Sequence, residues 1–223
     1  MPLIALALPL GLAIVALVIW AAQRGLGVGL RLLEFGVALA LSALIAWLNQ
    51  DVFLVAALAA RPLGPSGFPL PNALALGLVT GAVSQGLQAA LIRWRSVRQP
   101  ALVAAVSVAA GMAAGGVVWQ TLMNGLIPTS PWGLSIAAVL AAGGILMSLG
   151  TALLVAWGVE RGRVLAATAA VVLLAAVETV ANLTLPVPNP LVILGLVDLP
   201  YDLLILLAAL FLIHPARRQP EAG

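Results

Sequence analysis

Three carboxylates stand inside otherwise apolar stretches of this chain: Glu178, Asp198 and Asp202. An ionisable group in hydrocarbon is costly, so each one marks a candidate site. Asp198, Pro200 and Asp202 interrupt the run NPLVILGLVDLPYDLLILLAALFLIH. That pattern reads as a discontinuous helix, in which a short outer piece ends near Asp198 and Asp198 caps the inner piece. Broken helices of this kind line binding sites in transporters. Glu178 approaches at a similar depth from the preceding apolar run. Gln120 and Asn124, one helical turn apart, are the neutral polar candidates of the same half, and Arg61 is its one base. The chemistry on offer is the binding of an ion or a small substrate. At least one acid is expected to be buried, either neutral or hydrogen-bonded to Gln120, Asn124 or Tyr201, with Asp202 the deepest. The competing reading makes Asp198 an interfacial cap and Glu178 a hydrogen-bonding group within the bundle.

Other chemistries lack their residues. There is no cysteine, which excludes disulfides, thiolate metal sites and cysteine nucleophiles. A hydrolytic metal centre takes several histidine or carboxylate ligands from neighbouring elements. The sole histidine, His214, ends the last apolar run beside Arg217, and no serine approaches it in sequence or expected depth. No glycine-rich loop follows a strand. The reading is therefore no metal site, no cofactor and no catalytic residues. Polar residues within other runs are Ser84, Gln85 and Gln88, and later Ser148 and Thr151.

The elements that must position these groups are membrane helices. Apolar residues make up 63% of the chain and charged residues 8%, with a mean hydropathy of +1.18. Soluble domains carry about a quarter charged residues. Lipid is the solvent that suits this surface, and the chain reads as one integral membrane domain over 1–223. A spanning helix takes about 20 apolar residues. Seven stretches qualify, roughly 3–22, 31–50, 71–93, 101–126, 133–158, 164–184 and 190–213. Residues 52–60 are too short to cross alone and read as a frayed extension of the second span or an interfacial piece, and 61–70, rich in proline and glycine, as a surface loop. The opening run lacks a basic start and is longer than a signal-peptide core of about 7–15 residues, so it reads as a retained first span.

All ten basic residues are arginines. Arg24 and Arg31 lie between spans one and two, Arg93, Arg95 and Arg98 between three and four, Arg161 and Arg163 between five and six, and Arg217 and Arg218 after seven. Nine of the ten therefore share one side, which the positive-inside rule assigns to the cytoplasm. The expectation is an all-α bundle with the N-terminus outside and the C-terminus inside. The sequence pI near 11.1 comes from these same arginines and carries no sign of nucleic-acid binding. Gly77 and Gly81, then Ser107, Gly111 and Gly115, recur every four residues. That spacing puts small residues on one helix face, where backbones approach closely, and reads as helix packing.

Several of these stretches together resemble the YhfC family, relatives of the PrsW and CAAX-type glutamic intramembrane proteases. RLLEFGVALALSALIAWLNQ is similar to that family's second span. GLVTGAVSQGLQAALIRWR is similar to the segment bearing its Glu-Glu-x-x-Arg motif. AAGMAAGGVVWQTLMNGL resembles its Gly-x-Gly-His-Gly-Gly-x-Glu segment. The resemblance covers about half the chain. By position, the family's two glutamates fall on Ser84 and Gln85, its arginine on Gln88, its histidine on Ala114 and the following glutamate on Val118. A glutamic or metal-dependent hydrolase needs a base and a metal ligand or electrophile at the scissile bond. The resemblance thus implies a member that has lost catalysis and kept the fold, in a prokaryotic inner membrane. The expected function is that of a non-catalytic accessory or scaffold subunit, meeting lipid and a membrane-protein partner through its helix faces. The alternative is a small transporter or carrier using the outer acids, and the third an active intramembrane protease.

Overall fold

The computed structural model describes residues 4–56, 69–123, 131–184 and 194–214. Among them every regular element is helical. The helices are α1 (Ile4–Leu26), α2 (Leu32–Trp47), α3 (Leu70–Arg95), α4 (Ala101–Met123), α5 (Pro131–Glu160), α6 (Val164–Thr184) and α7 (Leu199–Ile213). Two π-helical turns extend them: Leu48–Leu54 follows α2, and Leu194–Asp198 leads into α7. Seven helical stretches are long and apolar enough to cross a membrane, so the chain is a polytopic transmembrane bundle. Arg61 and Asn124, together with the side chain of Gln120, lie outside the described residues.

The centre of the bundle is α4. In its span, Ala101–Trp119, 78% of the strongest apolar window is buried, against 22% for the first span. Its run of alanine and valine explains this position, because small side chains let four neighbours close around one helix. Ala104, Ala105, Val106, Val108 and Ala109 are inaccessible. Against them pack α1, α2, α3 and α5, while α6 packs mainly on α3, and α7 on α5.

Connections at the arginine-bearing end are tight. Gly162, at φ +67°, closes α5 with hydrogen bonds from Arg163 N to Gly158 O (2.7 Å) and from Gly162 N to Val159 O (3.2 Å). That is a Schellman ending, whose left-handed residue favours glycine. Gly27, at φ +63°, ends α1 similarly, with Val28 N donating to Gln23 O. Residues 24, 31, 93, 95, 98, 161 and 163 all fall at this end because consecutive helices alternate in direction.

Of the two readings of 52–60, the extension holds over 52–56, where the π-helical turn carries the second span on to Leu54 and the helix to residue 56; residues 57–60 lie outside the described residues. Asp198, contrary to expectation, does not cap a second helical piece. Its backbone is helical (φ −68°, ψ −52°) and its side chain makes no capping bond. The helix passes from π to α geometry just before Pro200. A π turn shifts the hydrogen-bond register by one residue, and so absorbs a proline that lacks an N–H without breaking the rod.

Candidate functional site

The acids gather where α6, α7 and α5 meet, at the end opposite the arginines. Asp202 is 1% exposed and Asp198 5%, while Glu178 is half-buried. Glu178 and Asp198 are both close enough to interact electrostatically with the Asp202 carboxylate. Asp198 has the side chain of Asn182, from the last turn of α6, as a hydrogen-bond partner. The Oδ1 atoms of Asp198 and Asp202 have no partner within the protein. Glycine makes room for Asp202 on α5: a Cβ on Gly143 would stand 3.0 Å from Asp202 Oδ2. Of the partners named for these acids, Tyr201 turns its hydroxyl proton elsewhere. Its hydroxyl donates 2.9 Å to Leu174 O, which ties α7 to the α6 backbone.

Among the described residues, no three His, Cys, Asp or Glu side chains are arranged to hold a metal ion. The three acids are thus a chain of acceptors along α6 and α7 rather than a preformed metal cage. What such a site can take is a proton, or a ligand that brings positive charge or hydrogen-bond donors. The described arginines, all at the other end, leave that role open.

A second polar group crosses from α3 to α5. Gln88 Nε2 donates 2.9 Å to Ser148 O, and Thr151 Oγ1 donates 2.8 Å to Met147 O. Ser84 bonds back to Thr80 O at 2.8 Å. Gln85, one turn from Gln88, is buried with Oε1 unpartnered. Ala114 packs into the core on α4, and Val118 is half-buried one turn on.

The small-residue positions stand at the closest helix crossings. A Cβ on Gly111 would collide with Phe35 O and lie 2.7 Å from Ala38 Cβ, and one on Gly115 would lie 2.6 Å from Leu39 O. Ser107 Oγ accepts from Arg31 N at 2.8 Å. This face of α4 thus seats α2. On α3, Gly77 and Gly81 face α6, where an added Cβ would stand 2.8 Å from Ala176 O and from Val172 O respectively.

Sequence reasoning missed Glu34. It is 2% exposed in the first turn of α2 and ion-pairs with Arg95, at 14% exposed, with Arg95 Nε donating 2.6 Å to Oε1. Gln99 Nε2 adds a bond of 3.2 Å to the same oxygen. The available signal was an acid inside a span at the end where nearly all the arginines collect. It missed Asn182 too, an amide one helical turn beyond Glu178.

Family models, curated proteins and solved structures were all compared with this chain. None matches.

Proposed function

We propose that this chain is a non-catalytic membrane carrier that takes a proton or a small cationic ligand on Asp202, with Glu178 and Asp198 beside it. The observation that carries this reading is Asp202: sealed from solvent, with one carboxylate oxygen unpartnered, directly after a π-helical turn. Buried acceptors are satisfied as a rule, so an unsatisfied one in a membrane helix marks a binding group. Single π-helical turns recur at functional sites for a related reason, since they leave backbone groups out of register.

The accessory-subunit reading drew on absent catalytic residues, minimal loops and small-residue helix faces. Those faces are filled within the bundle, Gly111 and Gly115 by α2, Gly77 and Gly81 by α6. The geometry therefore favours the carrier. Absence of catalysis is part of the same proposal. It is supported by the neutral side chains of Ser84, Gln85 and Gln88 and the apolar Ala114 and Val118, where the resembling YhfC-type proteases place their functional groups.

Reconstitution in vesicles tests it. Purified protein should carry protons or monovalent cations down an imposed gradient, and Asp202→Asn should reduce flux to that of protein-free vesicles while the protein still elutes as a folded species. Undiminished flux in Asp202→Asn would overturn the proposal. Purification in mild detergent with a stoichiometric second protein, and no flux alone, would restore the accessory role.

A further inference from the structure

Between α4 and α5 lies a small pocket of about 140 Å³, walled by Met112 and Gly116 of α4 and by Gly144 and Ser148 of α5. It stands on another face of α5 from the acids: Gly143 makes room for Asp202, and Gly144, about 100° further round the helix, opens on the pocket. The glycines create the space. A Cβ on Gly144 would meet nothing within 4 Å, and one on Gly116 only Ser42 Oγ, at 4.0 Å. Among the described residues, no charged side chain lines the pocket.

Ser148 is its polar wall, and its hydroxyl differs from all the others. Among the described residues, every other serine or threonine hydroxyl donates to a backbone carbonyl. Most return the proton to the carbonyl four residues back, a common arrangement in helices. For Ser148 that carbonyl belongs to Gly144, and the bond is not made. Its own carbonyl accepts from Gln88 Nε2, while its hydroxyl has no partner within the protein. Gly133 and Glu160 end this span, 15 and 12 residues away. That places Ser148 about 22 and 18 Å from the two ends, near the middle of the hydrocarbon layer. Lipid tails offer neither donors nor acceptors, and burying a hydroxyl without a bond is costly. A free hydroxyl at this depth calls for a polar molecule that the bundle itself holds.

We propose that this pocket is a water-binding site inside the membrane, in which a water accepts from Ser148 Oγ and donates to Gly144 O. The chemistry selects the occupant. It must be neutral, because the wall carries no counter-charge, and both donor and acceptor, because a hydroxyl and a carbonyl four residues apart face it together. A water needs about 10–15 Å³ of cavity, so this pocket admits several. The water takes the place that the hydroxyl proton fills directly in the other serines and threonines. The adjacent glycines of α5 thereby divide their roles, Gly143 clearing space for an acid and Gly144 for water.

Methionine reports on it. Met112 lines the pocket, whereas Met147, next to Ser148 in the chain, is buried in an apolar contact with Ala175 and Ile205. Hydroxyl radicals made from water by a short X-ray pulse oxidise methionine to its sulfoxide where water lies beside the sulfur. Protein in lipid nanodiscs is pulsed, and the two sulfoxides are followed by peptide mass spectrometry. In wild type, Met112 should oxidise at least about tenfold faster than Met147, since susceptibility follows exposure. Gly144→Leu fills the pocket, and Ser148→Ala removes the hydroxyl with little change of volume. Each variant should elute as a folded species with Met112 slowed to the rate of Met147. Equal rates in wild type, the result an acyl chain in the pocket would give, would overturn the assignment. So would a Met112 rate that either variant leaves unchanged.

Discussion

Removing one member of the Glu34–Arg95 pair should destabilise the bundle by several kcal/mol, and the reason is burial rather than attraction. Breaking a buried pair by truncating one partner costs about 3–5 kcal/mol, because the other charge stays behind uncompensated. The two members differ in exposure, at 2% for Glu34 and 14% for Arg95. Glu34→Ala leaves a guanidinium that already reaches solvent and lies over the Trp94 ring at 5.1 Å, so its cost belongs at the lower bound, about 3 kcal/mol. Arg95→Ala leaves a sealed carboxylate with Gln99 alone, and its cost belongs nearer 4 kcal/mol. The double alanine variant strands neither charge and should fall short of the sum by about 2–3 kcal/mol. Glu34→Met/Arg95→Met should lie within about 1 kcal/mol of wild type, since an apolar pair of similar volume replaces a buried ion pair at little cost. The assay is unfolding in mild micelles titrated with sodium dodecyl sulfate, followed by the fluorescence of the six tryptophans. Single variants each costing under about 1 kcal/mol, and adding without coupling, would refute the argument.

Glycine substitutions should separate by sign. Gly111→Ala sets a Cβ against the α2 backbone, which cannot move aside as a side chain would, and should cost about 1–3 kcal/mol, whereas Gly36→Ala has open space and should stabilise by about 0.5–1 kcal/mol in the same unfolding assay. Topology reporters fused after Gly223 should read cytoplasm, and reporters in the 128–131 and 186–190 segments the outside; an external C-terminus would require a missing or extra span. Peptide substrates placed in vesicles with the protein should remain intact, and cleavage abolished by Gln85→Ala would contradict the non-catalytic reading.

The spans were legible because a run of about 20 apolar residues is a one-dimensional signal that tertiary structure does not erase. The two π-helical turns were not, since a single shift of hydrogen-bond register leaves hydropathy unchanged. Asp198 was misread for a related reason: an aspartate two residues before a proline has the pattern of an N-cap, and the register shift that removes the need for one is invisible in sequence. Periodicity identified the small faces of α3 and α4 but not their partners, because spacing defines a face and only packing decides what covers it. Glu34 was not singled out, although it stands at the start of a span beside the arginines. Its burial goes with partners far along the chain, Arg95 and Gln99, 61 and 65 residues away.

The polar atoms of the described bundle sort along its axis. Towards the arginines and through the middle they are joined: Glu34 with Arg95 and Gln99, Arg31 N with Ser107, Ser42 with Met112 O, and Gln88 with Ser148 O. Each of these bonds joins two helices or a helix and the connection beside its neighbour, so each resists their separation. The buried atoms without a partner are Asn49 Oδ1, Gln85 Oε1, Asp198 Oδ1 and Asp202 Oδ1. All four are acceptors. Asn49 and Asp198 lie in the two π-helical turns, and Asp202 follows the second within a turn of helix. A fold under selection for stability alone would supply donors here, since a buried orphan acceptor costs about 1–3 kcal/mol. Three of the four stand in or within a turn of a π-helical segment, and the fourth, Gln85, stands in regular α-helix one turn from the Gln88–Ser148 bond. At the acid-bearing end α7 is held to α6 by Tyr201 OH on Leu174 O and by the Asp198–Asn182 bond. The orphan oxygens of Asp198 and Asp202 therefore belong to a tied crossing, and a proton or donor that reached them would complete their bonding.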